Sequence, residues 1–368
     1  MARIRKTESA TPAPVEQPAA PAASAPQQSA QKKLMAKGLG MLTVKNFVIL
    51  LIILATFGIV QFLRWYGIVN DVYDSLLATI CINVILAVSL NLITGFTGQF
   101  SLGHAGFMSI GAYTCALIVA QYPTIPGFLC GMLAAGILAM IFGVLIGFPT
   151  LRLKGDYLAI ATLGMAEIIR VIFLNLNITG GAYGLASDTQ IATWPWLFLF
   201  ATITVLVINN FIKSSRGRAC IAIREDEIAA ESMGINSTKY KVMAFALGAF
   251  FAGIAGGLYA SFFYFIKPGN FDFLESINIL VLVVFGGLGS ISGSVIAAVL
   301  LTALTQFFQI APPLNVFHLF TIDFSRVNMI IYALLLIIIM LFRPQGLMGT
   351  MEIGDLLKKP FRRKERVE

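Results

Sequence analysis

The sequence predicts an all-α polytopic membrane protein of about ten transmembrane helices, some of them broken at glycines. Three observations predict it. Of 368 residues, 58% are hydrophobic and only 12% are charged, against about 25% charged in an ordinary soluble domain. Residues 75–151 form a run of 77 without Asp, Glu, Lys or Arg. At about 20 residues per crossing, that is room for three or four passes, and no soluble core explains it. The 26 Lys and Arg fall in short loops and tails, so the net charge of +8 follows the positive-inside pattern of membrane proteins and gives no reason to expect nucleic acid.

Residues 1–33 are rich in Pro, Ala, Gln and Ser. They carry too little apolar surface to offset chain entropy and lack the continuous apolar core of a signal peptide, so 1–45 is expected to be a disordered cytoplasmic tail. The first span, 46–63, follows Lys32, Lys33, Lys37 and Lys45 and precedes Arg64, Trp65 and Tyr66, which places the amino end inside. A second span, 76–93, contains Asn83 and Asn91. Residues 94–107, TGFTGQFSLGHAGF, are too polar and glycine-rich for a plain lipid-facing helix. Spans follow at 107–121, 128–148 and 157–174, the last containing Glu167 and Arg170. Residues 175–194 read as an external loop, 196–212 returns to a polar island at 213–241, and 242–266 crosses outward again.

Residues 277–310 are 34 without a formal charge. As one helix they would extend about 51 Å, too far for a hydrocarbon core of about 30 Å, yet they are short for two full crossings. The run must therefore break, and Gly286, Gly287, Gly289 and Gly293 mark where. A last span at 328–342 closes a transmembrane domain of 46–343, ahead of a basic cytoplasmic tail, 344–368. With both ends inside, this topology puts 22 of the 26 Lys and Arg on the inner side, as the positive-inside rule requires.

Non-helical backbone at membrane depth must be buried in protein or line a water-filled cavity, because lipid cannot satisfy its amides. Residues 94–107 are therefore the first candidate for the wall of a solute pathway. Free amides at the start of the next helix can meet a carboxylate, and Thr97, Gln99 and Ser101 can hold an amine or amide. The alternative is that the glycines only let helices approach closely. Asn83, Asn91, His104, Glu167 and Arg170 complete the candidate set. Glu167 and Arg170, three apart on one helix face, can form a packing pair or contact solute. His104 stands without ligand partners and reads as a hydrogen-bonded structural residue. The four cysteines show no CxxC spacing, so neither a disulfide nor a metal site is expected. No nucleophile with a base and no paired carboxylates point to an enzyme. No G-x-x-x-x-G-K-[ST] phosphate loop is present, so energy for transport must come from a partner.

The island RGRACIAIREDEIAAESMGINSTKY, residues 216–240, has the shape of one short helix. Glu225, Asp226 and Glu227 suit a first turn, alanines favour helix, and Gly234 can take the left-handed cap. Such a helix could offer Ile228, Met233 and Ile235 to a partner, or it is simply a solvated face. Glu227, Ala229, Ala230 and Gly234, as E-x-A-A-x-x-x-G, resemble the coupling loop of ABC-importer permeases. The stretches EDEIAAESMGIN, YKVMAFALGAFFAGIAGGLYA, LNLITGFTGQFSLGHAGFMSIGAY, LRLKGDYLAIATLGMAEIIR, VFGGLGSISG and LFRPQGLMG look like the branched-chain amino-acid permeases and the related urea permeases. The resemblance covers about residues 75–350.

It implies an ABC-importer permease in the bacterial inner membrane that translocates branched-chain or other apolar amino acids. It further implies two ATPase subunits that carry ATP and Mg, a second permease subunit and an external solute-binding protein, with no cofactor in this chain. Arg224, Glu225, Glu227, Ala229, Ala230 and Gly234 would then couple the ATPases to the membrane. Two other readings stay open: a permease for urea or short amides, and an ion-coupled secondary transporter using Glu167 and Arg170.

Overall fold

Long apolar helices make up most of the computed structural model, which describes residues 51, 53–67, 70–153, 155–186 and 190–310, and beyond these only 314–316, 320–322, 334, 337, 341 and 346–349. The chain divides into a unit of residues 1–63 and a unit of residues 64–368. A short apolar helix, α1, spans Ile53–Trp65. The rest of the helices are α2 (Asp71–Asn91), α3 (His104–Gln121), α4 (Ile125–Thr150), α5 (Asp156–Asn175), α6 (Trp194–Lys213), α7 (Ser215–Glu225), α8 (Glu227–Ser232), α9 (Ser237–Phe262), α10 (Phe273–Gly286) and α11 (Ile291–Ile310).

Their starts follow local chemistry. Thr124 accepts from the amide of Gly127 at the head of α4, with Pro126 in the first turn where no donor is needed. Asn236 caps α9 through the amide of Lys239, and Asp272 caps α10 through that of Glu275. The core is built where α3, α4 and α9 close on one another through small residues. A Cβ added to Gly111 would lie 2.0 Å from the carbonyl oxygen of Gly253, and one on Gly256 would lie 1.9 Å from that of Met108. Glycine is thus required on α3 and α9 for backbones to touch. Phe107 and Phe245 meet edge to face at 5.5 Å beside that contact.

Among the described residues, six helices are long and apolar enough to cross a membrane: Asp71–Phe96, Ile125–Thr150, Asp156–Asn175, Trp194–Lys213, Ser237–Phe262 and Ile291–Gln309. This agrees with an all-α polytopic membrane protein, and the full set of about ten spans is not reached among the described residues. α10 has only 14 residues, about 21 Å of helix. α3 carries His104, Ser109, Tyr113 and Thr114 and is buried along most of its length among other helices. Residues 46–50 of the expected first span and most of the expected span at 328–342 lie outside the described residues.

The break expected within 277–310 is present. α10 stops at Gly286, Gly287 takes φ +109° and Gly289 φ +85°, and α11 begins at Ile291. Residues 346–348 return to this break: the amide of Leu347 donates to the carbonyl of Phe285 at 2.8 Å and that of Met348 to Gly286 at 3.3 Å. The separate motifs VFGGLGSISG and LFRPQGLMG therefore meet in space. Residues 175–194, expected as a plain loop, contain two 3₁₀ turns and a two-residue strand, Leu185–Ala186, paired antiparallel with Phe265–Ile266. Strands that short leave no alternation to read in a sequence.

Candidate functional site

The polar island folds as two helices instead of one. α7 starts at Ser214, whose hydroxyl accepts from the amide of Gly217 at 3.3 Å, and runs to Glu225. Asp226 then turns out of the helix and accepts from the amides of Ile228 and Ala229 at 2.9 and 3.0 Å, which opens α8. Glu225 therefore ends α7 and does not lie in a first turn. An aspartate that competes for the amides just ahead of it favours a cap over a helix interior. Gly234 takes the left-handed conformation, φ +82°, as expected. The amide of Ile235 closes the helix by donating to the carbonyl of Ala230 at 3.1 Å.

α8 is tied to α9 by Lys241 and Glu227, 2.6 Å apart, and by the Ser237 hydroxyl donating to Glu231. Ala230 faces inward at 5% exposure, while Ile228 and Met233 stand 75% and 83% exposed. The outer side of α8 and its exit thus expose Ile228, Ala229 and Met233 together with Glu231 and Ser232. Replacing Asp226 with Ala removes Oδ1, the single acceptor of both capping bonds, at a cost of about 1 kcal/mol. Amides 227–233 are expected to exchange roughly fivefold faster with solvent. Unchanged exchange there would sink the cap assignment.

The second part of the site is the end of α2. Instead of stopping at Asn91, the helix widens into a π turn, Leu92–Phe96, and residues 97–103 are irregular before α3 begins. The expected non-helical stretch is present at 97–103, with Thr97, Gln99, Ser101 and Gly103 buried and Gly98 and Phe100 exposed. Asn91 fixes it to the α10–α11 break. Its amide nitrogen donates to the carbonyl of Ser290 at 2.9 Å and to the Ser294 hydroxyl at 2.8 Å, and its Oδ1 accepts from the amide of Gly289 at 2.9 Å. One side chain therefore holds both helix breaks in register.

Arg224, from the last turn of α7, reaches the same place. Its Nη1 donates to the carbonyl of Gly95 at 2.8 Å, and Nε donates to Glu225 Oε1 at 3.1 Å. A Cβ on Gly98 would lie 3.0 Å from Arg224 Cγ, and one on Gly289 2.9 Å from Nη1.

The remaining candidates divide by whether they have partners. Asn83 donates to the Thr302 hydroxyl at 2.8 Å, joining α2 to α11. Thr97 donates to the carbonyl of Ile93, and the Ser101 hydroxyl accepts from the amide of Gly103 at 3.4 Å. Glu167 and Arg170 form the expected pair at 2.7 Å, both partly exposed on α5. His104 is fully buried, with Nε2 2.8 Å from the Ser89 hydroxyl. The amides expected to be free at the start of α3 are largely taken: Ala105 donates to the Ser276 hydroxyl and Gly106 to the carbonyl of Gly103.

Seven buried side-chain nitrogen or oxygen atoms lack a partner among the described residues, and four of them belong to residues 94–104: Thr94 Oγ1, both polar atoms of Gln99, and His104 Nδ1. Buried polar groups are normally satisfied, so this concentration marks a place where water or solute is the missing partner. Gln99, 3% exposed, lines a cavity of about 240 Å³ between residues 97–99, the α4–α5 turn and the α7–α8 junction. Nothing in the sequence brought Arg224 to Gly95. The only hint was that an island arginine and two glycine-rich breaks all lacked a local explanation.

Residues 72–340 match the family described as "Branched-chain amino acid transport system / permease component". The chain is similar to the high-affinity branched-chain amino acid transport system permease protein LivM of Salmonella typhimurium, with 36% identity over 302 residues, covering 73% of this chain and 68% of that protein. It is also similar to the probable branched-chain amino acid transport permease protein LivM of Methanocaldococcus jannaschii, 25% identical over 75% of this chain and 93% of that one. The permease protein LivH of the corresponding system in Escherichia coli K12 is 27% identical over 73% of this chain and 92% of its own. No solved structure matches the chain.

Proposed function

The chain belongs to the family of branched-chain amino acid transport permease components, and from that premise we propose that it is the membrane subunit of an ATP-driven importer for branched-chain or similar apolar amino acids. In this reading two separate ATPase subunits hold ATP and Mg, a second permease subunit completes the pathway, and an external protein delivers the solute. The membrane is the bacterial inner membrane, with both termini in the cytoplasm. The structural observation that carries the reading is the concentration of unpartnered polar atoms along residues 94–104, inside an otherwise apolar helix bundle. Hydrocarbon cannot satisfy those groups, so their presence supports a wetted pathway wall. Gln99 offers a donor and an acceptor, Thr94 a hydroxyl and His104 a ring nitrogen, which suits the uncharged and zwitterionic groups of an amino acid.

α8 is the docking element in this proposal. Its exposed Ile228 and Met233 would enter a groove on an ATPase, and closure of the ATPases would displace α8 and switch access of the pathway. The coupling set Arg224, Glu225, Glu227, Ala229, Ala230 and Gly234 then sorts by role. Ala230 packs inward, Glu227 pins α8 to α9 and Gly234 shapes the exit from the helix. The test is to purify the tagged chain from gently solubilised membranes and identify its partners by mass spectrometry. Recovery of ATPase subunits, lost when residues 225–234 are scrambled, is expected; a chain that comes down alone overturns the reading.

Gly234→Val provides a second check. The site has open space around a Cβ, so the effect comes only from a backbone conformation that costs a branched residue about 1–3 kcal/mol. Membrane insertion is expected to persist while uptake per ATP hydrolysed falls, and equal coupling would remove Gly234 from the mechanism. The names of the similar proteins favour amino acids over urea. Uptake of labelled leucine against labelled urea by the reconstituted complex decides between them. An ion-coupled secondary transporter is the weaker reading, because the family to which the chain belongs is one of transport-system permease components.

A further inference from the structure

We propose that Arg224 is a latch whose socket is formed by three glycines from the two helix breaks, and that breaking or making this contact is how movement of α7 and α8 reaches the solute pathway. The proposal rests on the permease reading above and specifies a residue and a contact within it.

The socket explains the glycines. Gly95 supplies the carbonyl that accepts from Arg224 Nη1 at 2.8 Å. Gly98 lies under the aliphatic stem with φ +70°, and Gly289 lies against the guanidinium with φ +85°. Both positions take a left-handed backbone that strains any L side chain, and a Cβ there would crowd the arginine at 3.0 and 2.9 Å. Gly95 is equally confined on its other side, where a Cβ would strike Asn91 Oδ1 at 1.8 Å and the amide of Gly289 at 2.4 Å. Three glycines, from two stretches nearly 200 residues apart, thus lie around one arginine side chain. That is a specific seat, and it reaches further than an arginine lying on a surface.

The seat is also connected. Gly95 is in the π turn, Gly289 is in the α10–α11 break, and Asn91 links the two through Gly289. Here the regular helix ladder is interrupted, as it often is at functional sites, so this is where a displaced α7 meets backbone outside that ladder. A π turn has one backbone carbonyl arrangement that a straight α-helix would not offer. Withdrawal of the guanidinium leaves the carbonyl of Gly95 without that charged donor. Gln99 stands four residues on, with both polar atoms unpartnered beside the cavity that Arg224 also lines. The same displacement that empties the socket therefore changes the surroundings of the pathway's most conspicuous unsatisfied side chain. Arg224 acts here as a positioning residue and need not touch solute.

The experiment uses the complete complex in proteoliposomes, with solute uptake and ATP hydrolysis measured together. Three chains are compared: unaltered, Arg224→Gln and Arg216→Gln. Arg216 is an exposed arginine on the same helix, so its replacement removes an equal charge without touching the socket. The expected result is that Arg224→Gln binds ATPase subunits normally but moves about tenfold less solute per ATP, while Arg216→Gln matches the unaltered chain. A coupling ratio within twofold of normal for Arg224→Gln overturns the latch. So does an equal fall in Arg216→Gln, which would make the effect one of charge, or a loss of ATPase binding in Arg224→Gln, which would make Arg224 a docking residue. If the unaltered chain itself recovers no ATPase, the permease reading fails first, and that outcome is separate from the others.

Discussion

Gly111→Val is expected to abolish recovery of folded protein from membranes. A Cβ at this position would lie 2.0, 2.4 and 2.5 Å from the oxygen, Cα and carbonyl carbon of Gly253. These are backbone atoms of α9, with no flexible side chain able to move aside, so α3 and α9 must separate. Overpacking of a core ordinarily costs about 1–3 kcal/mol, and parting two helices at a glycine contact exceeds that range because the neighbouring contact at Gly256 opens as well. Gly164→Val on α5 is the control: nothing lies within 4 Å of its Cβ, and the change should stay within about 0.5 kcal/mol. Yield and melting temperature in mild detergent measure both. Equal melting of the two variants would remove the close approach of α3 and α9 from the account of the core.

Asn91→Leu is the second large effect. The leucine cannot donate to Ser290 and Ser294 or accept from Gly289, and the site is fully buried. The Gly289 amide is left without a partner at about 1–3 kcal/mol, while the Ser290 carbonyl still accepts from the Ser294 hydroxyl, so with the lost bonds about 2 kcal/mol or more is expected to be lost. The damage should localise at the two breaks, where exchange of the Gly289 amide rises while that of the α3–α9 core holds. Asn83→Leu provides the comparison, since that side chain makes one bond, to Thr302, and is only part-buried. It should cost about 1 kcal/mol. If the two asparagines prove equally dispensable, Asn91 is no clamp, and the linkage between the breaks must lie elsewhere.

Helices and their approximate ends were legible because hydrophobic runs and charge placement act locally. The island shows where that reading fails. Glu225, Asp226 and Glu227 form an acidic cluster, and propensity alone places all three in one first turn. The structure gives Asp226 to the cap and leaves Glu225 on the preceding helix, because a single side chain can hold only one set of amides. The candidate site was legible in its parts. The polar stretch after α2, the glycine break before α11 and the left-handed Gly234 are where the sequence puts them. Their relations were not legible, since pairings such as Asn91 with Ser294 or Arg224 with Gly95 join residues far apart in the chain and leave no periodic trace. Glu167 and Arg170 were legible as a pair because three residues along a helix already bring them to one face.

By itself, the sequence determined that this is a polytopic helical membrane protein, that the chain leaves regular helix after α2 and between α10 and α11, and where its polar island lies. Each of those follows from interactions within a few residues or from the transfer of a whole segment out of water. Only the tertiary structure decided how the breaks meet. Packing of α3 on α9 sets where backbones touch, Asn91 brings the two breaks together, and Arg224 enters the space that their glycines leave open. Those outcomes depend on shape and hydrogen-bond partners that exist only once distant segments have closed on one another.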